Sequence, residues 1–413
     1  MSLQTRLAPL MICGFRPFFV LCAASASGLM LLWLLLMNGA GGNWQPPGGL
    51  VLWHAHELLF GFTAAAIAGF ALTAVPEFTD SGEIKGRPLA RLVLLWVLAR
   101  LAYPLAAWLP EPLALWPAAL CNLAFWTVLL MQLGPRLWRD PTRQHLSFAW
   151  VIGALALLQL GFFSTPFSSL DPVAWLRAAT GALMVLIVVA TSRISMSVVN
   201  GRIEEGRPGA PAPTNRYLAR PPRRHLATFC IAVCSASEFA LGADPVTGWT
   251  ALAAAAAMLN LLNDWHVGRP LLNRWALMLY AGYWLIALGY GVMGAAWLGA
   301  PFGASVGRHV LTGGALSLTT LVVMAMVSRI HAGLWLDRRA WVPLCAALLL
   351  AATLLRAVSG LPLAGAATAL LLNLSGILWA ACFTVYLSCS WRVLSGPRED
   401  GQEGCAPPRT EQP

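Results

Sequence analysis

The sequence predicts an all-α polytopic membrane protein, a bundle of about twelve transmembrane helices with both ends on the cytoplasmic side. Three observations predict it. Of 413 residues, 58% are hydrophobic and 11% charged, with a mean hydropathy of +0.67. A soluble domain carries roughly a quarter charged residues, so most of this chain faces something other than water. The apolar residues also gather into runs of about 20, the length a helix needs to cross roughly 30 Å of hydrocarbon. Finally, basic residues concentrate in alternate connections, as the positive-inside bias requires.

In chain order the runs fall at about 18–37, 53–76, 89–108, 112–133, 145–164 and 174–197. They continue at 225–242, 246–264, 272–296, 304–330, 341–359 and 364–391. The seventh and eighth are the weakest, being short or Ala-rich. The first is too long for a signal peptide and lacks a clear small-residue cleavage site, so no cleavable leader is expected. All basic residues but Arg100, Arg177, Arg308 and Arg356 lie in the N-terminal segment, the even-numbered connections or the tail. That pattern sets both termini inside. It also disperses the net charge of +10 along the chain, which points to topology and away from nucleic acid as a partner.

The longest connection, 198–224, is rich in Pro, Gly and Arg and reads as a flexible cytoplasmic linker. It separates a first six-helix half, 1–197, from a second, 225–395. The polar, Pro-rich stretch 396–413 reads as a disordered tail. Gly86-Arg87-Pro88-Leu89 and Gly268-Arg269-Pro270-Leu271 suggest weak repetition between the halves, and shared turn chemistry explains them equally well. The cysteines are scattered through apolar runs, and no spacing suggests a disulfide framework.

Polar groups inside a membrane are costly, so they mark candidate sites. His145, His225, His266 and His331 fall at cytoplasmic span ends, where an imidazole costs little. His54, His56 and His309 instead lie near the outer ends of spans two and ten. Within Trp53-His54-Ala55-His56-Glu57, residues i and i+2 of a regular helix point about 200° apart. Either His54 precedes the helix and joins His56 on one metal, or the two serve different sites. Glu57 is placed to fix a ring tautomer from behind a ligand. In span ten His309, Gly313 and Ser317 share one face, and span two repeats this with Gly61, Ala65 and Gly69. Small-residue faces are usually for close helix packing. A histidine at the head of each makes a metal or a flat porphyrin the rival reading, alongside a proton-linked transporter. Arg100, inside span three, needs a carboxylate such as Glu238, a porphyrin propionate, or a route for its head to the interface.

Several motifs together resemble the NnrS family. They are Gly14-Phe15-Arg16-Pro17-Phe18-Phe19, Trp53-His54-Ala55-His56-Glu57 with Phe60-Gly61-Phe62, Ala68-Gly69-Phe70 and Leu72-Thr73-Ala74-Val75-Pro76. Leu98-Ala99-Arg100-Leu101 and Arg308-His309-Val310-Leu311-Thr312-Gly313-Gly314-Ala315 match more loosely. The resemblance implies a bacterial inner-membrane, multi-pass protein containing haem, of b type since no CxxCH motif is present, and copper. It also implies a role in nitric oxide metabolism or nitrosative-stress protection, with nitric oxide or nitrosylated iron species as ligands. His54, His56 and His309 match its His-bearing motifs, which makes them, with Glu57, candidate metal ligands and Arg100 a candidate cofactor contact. Two departures bear on a cytoplasmic-side metal site. Gly333-Leu334-Trp335-Leu336-Asp337 stands where the family tends to have Gly-His-Thr-Gly-Arg, with His331 nearby. Arg193-Ile194-Ser195-Met196 stands where it usually has a Pro-containing run. The other classes the chain admits are a twelve-helix secondary transporter using Glu57, Arg100 and Glu238, and a nitric oxide reductase-like haem–copper enzyme. The last needs more core histidines than this chain gathers.

Overall fold

A computed structural model describes residues 8–110, 114–210, 212–402 and 404–408. Glu403 and 409–413, part of the expected tail, lie outside these, as do 111–113 before span four. Among the described residues the chain is all-helical, with no strand beyond one isolated bridge between Ala332 and Ala406.

Twelve long helices follow in order. They are α1 Phe15–Met37, α2 Leu50–Phe78, α3 Arg87–Leu105, α4 Trp116–Arg139, α5 Leu146–Ser164 and α6 Pro172–Val199. After them come α7 Pro221–Leu241, α8 Pro245–Leu262, α9 Arg274–Trp297, α10 Ser305–Ile330, α11 Trp341–Ser359 and α12 Thr368–Ser395. Each coincides with an apolar run of the sequence. Eleven are long and apolar enough to cross a membrane. The exception is α7, which has the length but carries Arg223, Arg224, His225 and Glu238 along it. Span seven thus stands as a helix whose charges dilute its apolar character, and the protein is a multi-pass membrane protein with eleven clear spans.

Two helices are not uniform. In α2, an α-helical stretch ends at Glu57, Leu58–Phe62 is π-helical, and α-helix resumes at Thr63. In α10 the same happens after His309, with Val310–Leu316 π-helical before Ser317. These are also the most enclosed spans, with 78% and 72% of their central windows buried against at most 61% elsewhere. An enclosed helix can carry polar groups and strained turns that a lipid-facing one cannot.

The chain divides into two compact units. The first takes in the chain up to Ala179, with Met324–Leu334 and Phe383–Pro408; the second takes in Thr180–Val323 and Trp335–Cys382. In the first, α1 packs on α2, and α4 packs on α3 and α5. The α1–α2 contact depends on glycine. A Cβ on Gly14 would stand 2.4 Å from Leu72 Cβ, and one on Gly69 would stand 2.6 Å from the Phe19 ring. In the second, α8 packs on α7 and α9, and α10 packs on α9 and α11.

The two Gly-Arg-Pro-Leu segments are used as turns. Gly86 and Gly268 both have positive φ, 64° and 75°, before a helical turn opened by Pro. The long connection is pinned from both ends. Asn200 exchanges hydrogen bonds with the Tyr217 backbone at 2.8 and 3.0 Å, and Asp264 accepts from Arg220 N at 3.0 Å and Arg223 at 2.6 Å. In the first unit the tail returns to the N-terminal segment, where Cys405 is disulfide-bonded to Cys13 across 392 residues. Short-range cysteine spacing carries no trace of so distant a pair.

Candidate functional site

In the first unit the structure assembles a chain of polar side chains around the head of the π-helical stretch. His56 is fully buried and Glu57 is 1% exposed. Glu57 Oε1 lies 3.0 Å from His56 Nδ1, and its Oε2 accepts from Arg100 Nη1 at 2.9 Å. The second Arg100 nitrogen donates to Asn122 Oδ1, and Asn122 is anchored to Ala118 O at 2.8 Å. On the other side Gln159 Nε2 meets His56 Nε2 at 3.0 Å, and Trp126 donates to Gln159 Oε1 at 2.5 Å. A carboxylate only accepts, so Nδ1 carries the imidazole proton and Nε2 accepts from the Gln159 amide. Tyr103, Phe162 and Phe163 enclose the ring, with centroids 4.8 to 5.4 Å away.

The partner of Arg100 is therefore Glu57, its near neighbour in the same unit, where the sequence admitted Glu238. The pairing follows from packing: α3 lies beside α2, and Gly61 has no side chain to keep the guanidinium away. A Cβ at Gly61 would stand 2.8 Å from Arg100 Nη1. His54 lies inside the helix, which begins at Leu50, and its ring stacks on Trp33 at 4.0 Å and 21°. With the helix regular through this turn, His54 and His56 have different surroundings.

In the second unit, His309 Nδ1 lies 2.8 Å from the carbonyl of Ser305, one turn earlier. That carbonyl fixes the proton on Nδ1 and leaves the Nε2 lone pair to accept, the orientation a metal-binding imidazole needs. Facing Nε2 at 3.4 Å is Arg356 Nη2. Arg356 otherwise meets Ser359 Oγ at 3.4 Å and Ser305 Oγ at 3.5 Å, and no carboxylate pairs with it among the described residues. The adjacent Arg308 grips Glu238 through two contacts, at 2.5 and 3.3 Å. One turn beyond His309 the face is open: a Cβ on Gly313 would have no atom within 4 Å. Further on, Ser317 receives Trp379 Nε1 at 3.0 Å.

The two faces headed by histidine thus differ. Under His56 the space is filled, by Arg100 at Gly61 and by Phe18 and Phe19 at Gly69. A metal at His56 Nε2 would have to displace Gln159. At His309 the imidazole tautomer and the open face at Gly313 fit a planar anionic cofactor, provided Arg356 turns from Nε2 to an acidic substituent of that cofactor. Among the described residues no three His, Cys, Asp or Glu side chains gather as a ready metal cage.

The remaining histidines lie apart from these clusters. His145 stacks on Phe78 at 4.7 Å, and His225 lies beside Arg224. His331, just past α10, is pushed down to about 4 by burial and then by the charge of Arg398, so it is neutral at pH 7. Sequence reasoning passed over Asn122, Gln159 and Arg356. The first two had a signal, since an amide within an apolar run is itself costly. Arg356 had only its isolation outside the positive-inside pattern.

A family model described as NnrS protein matches residues 9–398, nearly the whole chain. No curated protein matches it.

Proposed function

The chain belongs to the NnrS family, and on that premise we propose a haem-binding protein of the bacterial inner membrane acting in nitric oxide metabolism or nitrosative-stress protection. Copper is the second metal of this reading, and both termini lie in the cytoplasm. The observation that carries it is the setting of His309, with Nδ1 tied to Ser305 O at 2.8 Å and open space at Gly313. The π-helical turns that follow both His56–Glu57 and His309 add support, because such turns recur at functional sites. When bound, haem would supply an iron atom able to take nitric oxide. The protein's part is to hold the imidazole in one tautomer and to offer a cation, Arg356, to an acidic substituent. In the first unit His54 and His56 remain proposed ligands, with Glu57 behind His56 and Arg100 behind Glu57.

An optical spectrum of the purified protein, with iron and copper analysis, tests this. A Soret band with iron is expected, and a protein with neither refutes the reading. His309→Ala should shift or abolish the band; an unchanged band removes His309 from the ligands.

A second reading, a secondary transporter, is favoured by the buried ion pairs Glu57–Arg100 and Glu238–Arg308, one in each unit. It predicts uptake in proteoliposomes that Glu238→Gln abolishes, and uptake unchanged by that substitution would refute it.

A further inference from the structure

Arg16 is fully buried, in the first turn of α1. Its Nη1 donates to three backbone carbonyls, those of Pro9 at 3.4 Å, Leu394 at 3.2 Å and Gly396 at 2.5 Å. Among the described residues its Nε and Nη2 have no partner, though both are shut off from solvent. Those two nitrogens form one edge of the guanidinium, with N–H groups side by side. That edge is the one that matches two oxygens of a carboxylate or phosphate.

The surroundings sharpen the anomaly. Carbonyls are neutral, so the charge of Arg16 is uncompensated by them. Arg398, whose side chain is also buried, adds like charge nearby. Asp400 is committed to Arg398, at 2.9 Å to its Nε and 2.5 Å to its Nη2. The remaining donors of Arg398 go to the carbonyls of His331, Gly404 and Ala406, so that side chain is satisfied where Arg16 is not. The amino end of α1 contributes further positive potential. The ring of Phe15 lies 5.7 Å from the guanidinium carbon and adds a weak electrostatic support. A buried cation with two idle donors is unfavourable unless a counter-charge is present. Residues 1–7 bring no acidic side chain to supply one.

We propose that Arg16, backed by Arg398, is the core of a buried anion site in the first unit, taking a phosphate-class oxyanion on its Nε–Nη2 edge. The carbonyls of Leu394 and Gly396 hold the side chain by its Nη1, which leaves the Nε–Nη2 edge to the anion. The oxyanion comes either from free phosphate or from the headgroup of an anionic lipid. The inference is independent of haem.

The test uses the full-length protein in detergent. Native mass spectrometry reads what it retains, and thermal unfolding is followed with inorganic phosphate or short-chain phosphatidylglycerol as probe, with chloride and phosphatidylcholine as matched controls. The expected result is a retained phosphate or lipid mass, or a midpoint raised by about 3 °C by one probe and by neither control. Phosphate alone active identifies a free anion as the source; phosphatidylglycerol active identifies a headgroup. Arg16→Gln should abolish the effect, and Arg16→Lys, which keeps the charge and loses the paired donors, should weaken it about tenfold. Should Arg16→Gln fail to fold, the Lys variant carries the comparison. No retained mass and no response overturns the proposal, as does a response unchanged in Arg16→Lys. It is also overturned if Glu403→Gln combined with Glu411→Gln destabilises the protein as much as Arg16→Gln with nothing retained. That outcome would make a carboxylate of the chain itself the partner.

Discussion

Replacing Glu57 with Ala should destabilise the protein by about 3–5 kcal/mol, the cost of leaving one member of a buried ion pair without the other. Among the described residues Glu57 is the only carboxylate in contact with Arg100, whose side chain is 10% exposed. The guanidinium has little in reserve: Asn122 gives it a neutral oxygen, and its Nε lacks a partner among the described residues. The same change strips His56 Nδ1 of its acceptor, so the imidazole loses its fixed tautomer. Unfolding in mixed detergent micelles measures the loss. The double variant Glu57→Leu with Arg100→Leu should recover most of it, because apolar residues of similar size replace buried ion pairs at little cost. A single variant within about 1 kcal/mol of the parent would show that the pair is not what holds α2 to α3.

Gly307→Ala should also be strongly destabilising, by about 1–3 kcal/mol or more, since overpacking against backbone cannot relax by a rotamer change. A Cβ there would stand 2.4 Å from the carbonyl oxygen of Gly289 and 2.7 Å from the backbone nitrogen of Met293. Both belong to α9, so α9 and α10 must separate. Arg308 and His309 follow at once, so the change should also disturb any chromophore held by His309. Gly313→Leu is the complementary experiment. With open space at that position, stability should change by no more than about 0.5 kcal/mol. If haem lies on that face, its occupancy should fall. A Gly313→Leu protein with full haem content would place the cofactor elsewhere.

Much of the candidate site was visible in the chain itself. His54, His56, Glu57, Arg100 and His309 stand out because an ionisable group within an apolar run is expensive wherever the run goes. Their relations were not visible. The sequence offered Glu238 as the acid for Arg100; α3 lies beside α2 instead, with Gly61 leaving room for the guanidinium to reach Glu57. Glu238 is met by Arg308, next to a histidine that periodicity had singled out for its smooth face alone. The π-helical turns leave no local mark either, since they add one residue to a turn in response to surrounding packing.

The sequence by itself determined where twelve helices run, and that most of them cross a membrane. Hydrocarbon thickness and the cost of exposing peptide groups act on each segment separately, so the answer is written in each segment. Span seven, with span eight the weakest prediction, was weak for a local reason, the shortness of its apolar run. The tertiary structure alone decided which acid answers which arginine, which histidine face is filled and which is open, and that Arg16 is sealed under a tail returning from the far end of the chain. Those outcomes depend on contacts between residues far apart in sequence, such as Glu57 with Arg100, 43 positions away, and Cys13 with Cys405, 392 away. No local pattern encodes such a contact, because what stabilises it is the removal of both partners from solvent together.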